Sequence, residues 1–370
     1  MKLGFISPLP PAASGVADYA AGLLAELRRH AQVDVAEAPR PGYDAWIYQL
    51  GNNPLHLAAY RAALAEPGIT VLHDAVLHHL LLGSLAEREY VEEFAYNYGE
   101  WMRDLGGDLW QGRSRSGADA RYFQYPMIRR VVERSRAVVV HNPGARRIVE
   151  AAVPGARVVE IPHYFVPPRL PGAARETRYR LGIATTDVVI GVFGYLREPK
   201  RIRSVLRALD AVPRSRLLLV GRFVSEDMER ALQPALGDPR VVRLGRVPEE
   251  EFWRLAEITD ICVNLRHPTA GETSGIGIKM MGIGQPVVVT DCAENAGFPD
   301  CTVMRVDPGE PEVEMLAHYL RLLAESPEMR REVGRLAAAH IAAHHTLERT
   351  ASSYVDVVRS VLYSGSRGWI

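Results

Sequence analysis

Short apolar runs rich in Val, Ile and Leu recur along the whole chain, and stretches with helical spacing of apolar residues separate them. The runs before a proline-rich passage at 164–172 span 3–7, 33–37, 45–48, 70–73, 137–141 and 158–162. The runs after it span 188–193, 216–220, 241–244, 261–265, 286–290 and 303–306. Strands that alternate with helices form parallel sheets covered by helices on both faces. The sequence therefore predicts an α/β protein with two doubly wound, Rossmann-like domains.

The proline-rich passage sets the expected domain limits. A chain of 370 residues exceeds the usual size of one hydrophobic core. We expect an N-terminal domain over 1–164, a C-terminal domain over 165–345, and a last helix at about 346–370 that crosses back onto the first domain. The two domains are expected to face each other across a cleft. Ligands of open α/β sheets bind outside the carboxyl ends of the strands, so strand-to-helix turns are the places to search for site residues.

Charge and cysteine content exclude several classes of protein. The 44 basic and 44 acidic residues give a net charge of zero, which lacks the electrostatic signature of a nucleic-acid binder. The 3 cysteines show no CxxC spacing and indicate reduced thiols in a cytoplasmic protein. The N-terminal segment resembles a strand that breaks at Pro8 rather than a signal peptide. No apolar run approaches the roughly 20 residues that span a bilayer.

The most informative turn follows the run 261–265 and reads Gly271, Glu272, Thr273, Ser274, Gly275. Thr273 or Ser274 can cap the apolar segment that follows, which leaves backbone N–H groups facing an anion. The Glu272 carboxylate can accept hydrogen bonds from sugar hydroxyls at the same turn. A phosphate site beside such a carboxylate suits a sugar nucleotide. The alternative is a tight strand-to-helix junction without a ligand.

Three turns of the first domain carry polar residues at strand ends. Gly15 follows the first strand and leaves room for a group to approach the next helix. Asn52 and Asn53 follow the third strand, where their amides either bind a ligand or form an Asx-rich turn. His73 and Asp74 follow the fourth strand, where such a pair either orients a hydroxyl and passes a proton or is structural.

Three cations, Arg197, Lys200 and Arg201, follow the first strand of the second domain. They can neutralise the charge of a departing diphosphate without a metal, or they form a solvated charge run. No two aspartates stand two positions apart in the sequence, so the Asp-x-Asp metal clamp of many sugar-nucleotide enzymes is missing. We therefore expect no metal and no cofactor.

Another cluster of arginines lies in the first domain, at 129, 130, 134 and 136. The cluster is either a solvated helix face or a contact for acidic lipid head groups. The second alternative would add a peripheral location at the inner face of the membrane to the cytoplasmic one.

On these motifs the chain resembles a family 4 retaining glycosyltransferase of the GT-B fold. The segments that carry the resemblance are 7–11, 14–19, 51–54, 71–74, 193–194, 200–201, 219–221 and 271–275. They are distributed over nearly the whole chain. The resemblance implies transfer of a sugar from a UDP- or GDP-sugar to a hydroxyl of a carbohydrate or glycolipid, with retention of configuration and without a metal.

The resemblance also implies roles for single residues. By this resemblance, the catalytic residues of the chain would be His73, Asp74 and Glu272. Its donor-binding residues would be Gly15, Arg197, Lys200, Arg201, Gly271, Thr273, Ser274 and Gly275. Asp18, Asn52 and Asn53 would lie on the acceptor side.

Two positions depart from the family's pattern. Met280 stands where the family has a second glutamate for the nucleotide ribose, and a thioether is a weak acceptor. Tyr195 stands where a basic residue is usual, so Arg197 is expected to make that contact. Two other functions remain open, namely a UDP-sugar epimerase of the same fold and a non-catalytic two-domain sugar-binding protein.

Overall fold

The computed structural model describes residues 1–364 and divides the chain into two compact units. The first unit comprises Met1–Tyr164, the short segment Pro268–Thr273 and the chain from Thr346 onwards. The second unit comprises Phe165–His267 and Ser274–His345. The segment that carries Glu272 thus groups with the first unit.

The first unit is built on a 6-stranded parallel sheet with the order β2-β1-β3-β4-β5-β6. Its strands are β1 (Lys2–Ile6), β2 (Gln32–Val35), β3 (Ala45–Leu50), β4 (Ile69–Leu72), β5 (Ala137–Val140) and β6 (Val158–Glu160). Its helices up to that point are α1 (Gly15–Leu27), α2 (Leu57–Ala65), α3 (His78–Leu82), α4 (Glu87–Tyr98), α5 (Arg103–Gln111), α6 (Arg121–Gln124), α7 (Arg129–Arg134) and α8 (Pro143–Ala152). Two separate apolar clusters contain alternate residues of these strands, because both faces of a parallel sheet are covered.

The stretch from Glu87 to Tyr125 is rich in Tyr and Trp, and much of it serves the core. Tyr90, Phe94 and Tyr122 are fully buried in one of the two clusters. The Tyr122 hydroxyl donates to the carbonyl of Leu109 in α5 at 2.5 Å. Packing therefore accounts for the aromatic residues that are buried here.

The second unit contains another 6-stranded parallel sheet, with the order β12-β11-β10-β7-β8-β9. Its strands are β7 (Val188–Phe193), β8 (Ser215–Val220), β9 (Val241–Leu244), β10 (Ile261–Asn264), β11 (Val287–Thr290) and β12 (Met304–Val306). Its helices are α9 (Ala174–Arg180), α10 (Ile202–Ala208), α11 (Glu226–Leu236), α12 (Glu249–Glu257), α13 (Gly275–Gly282), α14 (Glu312–Glu325) and α15 (Pro327–His344).

The last helix, α16 (Leu347–Ser364), belongs to the first unit and packs against α1. The hydroxyls of Tyr354 and Tyr19 lie 3.2 Å apart in the buried contact between the two helices. The end of the helix expected from the sequence, 365–370, lies outside the described residues. Within residues 1–364, no helix has both the length and the apolar character that crossing a membrane requires.

The predicted α/β architecture is confirmed, because each of the twelve predicted runs overlaps one strand. The order of each sheet reverses once, at β1 and β3 in the first unit and at β7 and β10 in the second. Ligands of doubly wound sheets bind at such reversal points. The turns that follow β3, β7 and β10 carry most of the candidate site residues.

Two helical glycines should respond in opposite ways to alanine. A Cβ at Gly334 in α15 would overlap the carbonyl of Gly284, whereas a Cβ at Gly107 in α5 would meet no atom within 4 Å. Gly107→Ala should raise the free energy of unfolding by up to about 1 kcal/mol through helix propensity. Gly334→Ala should lower it by about 1–3 kcal/mol through overpacking. Urea unfolding of both variants measures this, and a stabilised Gly334→Ala protein would contradict the packing.

Candidate functional site

The two asparagines after β3 cap short helices of the first unit. Asn52 Oδ1 accepts from two backbone N–H groups in the first turn of α3, at 2.8 and 3.1 Å. The Asn52 backbone N–H donates to Asp74 Oδ2 at 2.7 Å. Asn53 Oδ1 accepts from the N–H of Leu55 at 3.1 Å and caps a 3₁₀ helix. These are the contacts of an Asx-rich turn, and the acceptor-side role of both residues stays a prediction.

His73 is a buried, neutral histidine at the carboxyl end of β4. Its Nε2 donates to Gln49 Oε1 at 2.6 Å, and its ring centroid lies 4.8 Å from Tyr19 and 4.7 Å from His141. Burial, and then the neighbouring histidines, hold the pKa of His73 well below its ordinary value. His73 and the adjacent Asp74 have different hydrogen-bond partners: the side chain of Gln49 for His73 and the backbone N–H of Asn52 for Asp74. The neutral ring has one N–H, which Gln49 takes up, so Nδ1 of His73 can accept a hydrogen bond but cannot donate one.

The first turn of α1 is open to solvent. Ser14 Oγ accepts from the N–H of Val16 at 3.2 Å and caps the helix. A Cβ at Gly15 would meet no atom within 4 Å, so packing does not demand a glycine there. Asp18 is exposed one turn further along, and its charge adds to burial in raising the pKa of Tyr164 to about 12. Both residues are accessible, as their predicted roles require.

Glu272 lies in a compact turn within the segment Pro268–Thr273. Its Oε2 accepts from the backbone N–H of Ala270 at 2.7 Å and from Thr269 Oγ1 at 3.1 Å. Gly271 has φ +77, and a Cβ there would lie 2.7 Å from the Cβ of Ala75. The backbone therefore demands a glycine at 271, and the turn brings Gly271 beside the residue that follows His73 and Asp74.

Ser274, not Thr273, caps α13 in the second unit. Its Oγ accepts from the N–H of Gly277 at 3.2 Å and donates to Asn264 Oδ1 at 3.1 Å. The cap uses the N–H of Gly277, and the N–H groups of Gly275 and Ile276 at the start of the helix are the ones that could donate to an anion. Thr273 instead donates its hydroxyl to a carbonyl of the first unit.

Packing explains other glycines of α13. A Cβ at Gly282 would overlap the ring of Phe165, and a Cβ at Gly277 would lie 3.0 Å from Asn264 Nδ2. Met280, at the position of the family's second glutamate, is fully buried in the core of the unit. Its thioether is a core side chain and not a ribose contact.

The three predicted cations of the second unit have different environments. Lys200 is buried, and its Nζ lies 3.9 Å from the position of a Cβ at Gly194. Arg201, in the left-handed region at φ +56, forms an ion pair with the buried Glu312 at 2.8 Å and 3.0 Å. Arg197 is exposed, and its guanidinium lies 5.4 Å from the ring centroid of Tyr195.

Arg222 is a cation that the sequence interpretation missed. It follows β8, and its guanidinium lies 6.0 Å from the Tyr195 ring, which Arg197 also approaches. Within residues 1–364, neither guanidinium takes part in a hydrogen bond or an ion pair. The signal that could have found Arg222 is its position directly after the Val220-Gly221 strand end.

The side chains of three arginines of α7 have partners within the protein. Arg129 pairs with Glu133 at 2.8 Å, and Arg130 pairs with Glu93 at 2.6 Å. Arg134 donates to the carbonyl of Leu64 at 3.2 Å. Among the described residues, no group of three or more His, Cys, Asp or Glu side chains is placed to hold a metal ion.

Comparison with known proteins covers both sequence and structure. Residues 197–356, less than half of the chain, match a family model described as glycosyl transferase-like. No curated protein sequence matches the chain significantly.

Several solved structures of similar fold align with nearly the whole chain. HepE from Anabaena, in complex with UDP-glucose, is 15% identical with a TM-score of 0.69 over 97% of this chain and 100% of HepE. Sucrose-phosphate synthase from Thermosynechococcus elongatus is 16% identical with a TM-score of 0.66 over 98% and 100% of the two chains. WaaG, a glycosyltransferase involved in lipopolysaccharide biosynthesis, is 14% identical with a TM-score of 0.64 over 96% and 99%. The predicted GT-B fold is therefore confirmed.

The buried histidines should make the protein sensitive to acid. Burial lowers the pKa of His141 to about 4, so the unfolded chain takes up this proton at a higher pH than the folded chain. Stability present above the ordinary pKa of about 6.5 is then lost as the pH falls towards 4. The shifted pKa of His141 alone should lower the free energy of unfolding by about 3 kcal/mol as the pH falls from its ordinary pKa to about 4.

His141→Gln should therefore give a shallower fall in the free energy of unfolding between pH 7 and pH 4 than the wild type shows. Urea unfolding at a series of pH values measures both slopes. Equal slopes for the two proteins would contradict a buried, neutral His141.

Proposed function

We propose that the chain is a family 4 glycosyltransferase that transfers a sugar from a UDP-sugar to a hydroxyl of a carbohydrate or glycolipid, with retention and without a metal. The observation that carries this proposal is the match of residues 197–356 to the glycosyl transferase-like family model. The matched segment contains the cations at 197, 200 and 222 and the first turn of α13. UDP is preferred to GDP because HepE, which has a similar fold, is known in complex with UDP-glucose.

In this proposal the second unit binds the diphosphate of the donor. Arg197 and Arg222 are exposed cations near the ring of Tyr195, and Lys200 adds a third positive charge near Gly194. The N–H groups of Gly275 and Ile276 at the start of α13 supply further donors. Preorganised cations of this kind stabilise the charge that develops on a departing diphosphate, which is the work of a metal in other enzymes. Arg201 forms an ion pair with Glu312, which supports a structural role for Arg201 rather than a contact with the donor.

The sugar is assigned to Glu272, and the reaction is a substitution at the anomeric carbon. The bond from that carbon to the diphosphate oxygen breaks, and a bond to the acceptor oxygen forms on the same face. The acceptor hydroxyl gives its proton to the departing phosphate oxygen. Neutral His73 can orient a hydroxyl of the sugar or the acceptor, but as an uncharged group it adds no positive charge.

Purified protein incubated with UDP-glucose or GDP-mannose tests this function. A panel of simple sugars and a glycolipid extract serve as acceptors, each with and without EDTA, and mass spectrometry detects nucleotide and product. We expect acceptor-dependent release of UDP that EDTA leaves largely intact. Conversion of the donor to an epimer without acceptor would indicate an epimerase, and binding without turnover would indicate a sugar-binding protein. Turnover lost in EDTA and restored by Mg²⁺ would contradict metal independence.

Glu272→Gln keeps the size of the side chain and removes its charge. A charge-assisted hydrogen bond contributes roughly 1.5–3 kcal/mol. Sugar transfer should therefore slow by about ten- to over a hundredfold, since 1.36 kcal/mol is tenfold. Thermal stability should hold, because a glutamine oxygen can still accept from the Ala270 N–H. Lost stability with normal turnover would show instead that Glu272 only braces its turn.

Arg222→Ala is the contrasting variant, since it removes a proposed phosphate contact and leaves the sugar contact. It should weaken UDP binding, whereas Glu272→Gln should leave UDP binding nearly unchanged. Arg175→Ala, at an exposed arginine of α9, is the control for loss of a positive charge. Calorimetric titration with UDP measures all three, and equal affinity in the Arg222 and Arg175 variants would exclude the phosphate contact.

A further inference from the structure

Asn142 is a buried asparagine whose side-chain oxygen and nitrogen both form hydrogen bonds. It follows β5 and caps α8, where its Oδ1 accepts from the N–H of Ala145 at 2.7 Å. The side chain is 3% exposed. A serine, threonine or aspartate could provide the same cap. The cap alone therefore does not account for an asparagine at this position.

The Nδ2 group of Asn142 donates to the two residues that flank Glu272. One bond goes to the carbonyl of Gly271 and one to Thr273 Oγ1, each at 3.0 Å. The Thr273 hydroxyl in turn donates to the carbonyl of His141 at 3.2 Å. Both neighbours of Glu272 are thereby tied to the end of β5.

The hydrogen bonds of the Glu272 carboxylate to Thr269 and Ala270 are of a different kind. They join residues within three positions of each other, so they shape the turn but do not fix where the turn lies. Another hydrogen bond attaches the segment, from the N–H of Val76 to the carbonyl of Ala270 at 2.9 Å. The attachment on the other side of Glu272 comes from Asn142 and the hydroxyl of Thr273.

We propose that Asn142 is a positioning residue for Glu272. It holds the turn through its Nδ2 group and thereby sets the place of the carboxylate that binds the transferred sugar. The inference rests on the proposed function, because that function assigns Glu272 to the sugar. Asn142 itself touches no substrate in this account, so its effect on the reaction passes through the backbone of Gly271 and the side chain of Thr273.

Asn142→Asp tests the positioning while keeping the helix cap. Aspartate caps α8 as well as asparagine does, but it donates no hydrogen bond and turns a carboxylate towards two oxygens. Hydrogen exchange in a peptide covering 268–274 should become faster. Because small displacements of a contact group slow chemistry strongly, kcat should fall by about ten- to a hundredfold. KM for the donor should change much less, because the phosphate contacts lie elsewhere.

Asn97→Asp is a matched control. Asn97 Nδ2 also donates twice, to the carbonyl and to Oε1 of Glu93 at 2.8 and 3.0 Å. Its Oδ1 also accepts one backbone N–H, from Arg129 at 2.9 Å. The control variant should lose thermal stability, yet keep wild-type exchange over 268–274 and wild-type kcat per folded molecule.

Asn142→Ser is the second test variant, and it serves if the aspartate protein fails to fold. It retains a cap and lacks the Nδ2 donors, so it should show the same faster exchange and lower kcat. Wild-type exchange over 268–274 in both Asn142 variants would overturn the positioning role. An equal loss of kcat in Asn97→Asp would also overturn it, because the effect would then be general.

The exchange measurement separates this inference from the proposed function. If the wild type transfers no sugar, the proposed function fails, and faster exchange in Asn142→Asp still supports the attachment of the turn. If the wild type is active and Asn142→Asp keeps its kcat, the positioning role fails and the proposed function stands.

Discussion

Parallel pairing of the strands is the constraint on which both units depend. Each pair of neighbouring parallel strands needs a crossover, and here helices provide most of the crossovers. All strand-to-helix turns of a unit consequently lie at one edge of its sheet. The turns after β3 and β4 meet there through the bond from Asn52 to Asp74, although 22 residues separate them. Within each unit, candidate residues from different turns lie at one edge of the sheet because of this topology and not because they are close in sequence.

The same constraint explains how much the sequence predicts. Strands buried on both faces are continuous apolar runs, and all of them could be recognised; β5, with the sequence Ala-Val-Val-Val, is fully buried. Local chemistry also predicts the start of α13, since a serine or threonine before a glycine and an apolar segment is a common cap. Ser274 takes that position because its Oγ reaches the N–H of Gly277. Short-range signals of this kind are sufficient for the fold class and for the cap of α13, whereas the site itself stays a prediction.

Short-range signals do not predict contacts between residues that are distant in the sequence. Nothing near Arg201 indicates that Glu312 will take up its charge, because the two residues are 111 positions apart. Nothing near Gly282 in the sequence indicates why a glycine stands there, whereas in the fold a Cβ at this position would meet the ring of Phe165. Asn142 resembles an ordinary cap in the sequence, and only the fold brings Gly271, 129 positions away, to its amide. The contacts that distinguish a cation available to a ligand from a structural one are therefore found only in the folded chain.

The departure at Tyr195 has a physical explanation in the register of two strands. Phe193 pairs with Val220 in the parallel ladder of β7 and β8, so the residues that follow the two strands lie side by side. The pairing continues beyond the strands, where the N–H of Leu196 donates to the carbonyl of Arg222 at 2.9 Å. A cation lost from one strand end can thus be supplied from the neighbouring one at nearly the same place. The ring of Tyr195 then lies near both guanidiniums, and an aromatic face favours a nearby cation. In the proposed function the parallel register keeps a positive charge at this place, and a motif defined along one segment of sequence does not detect it.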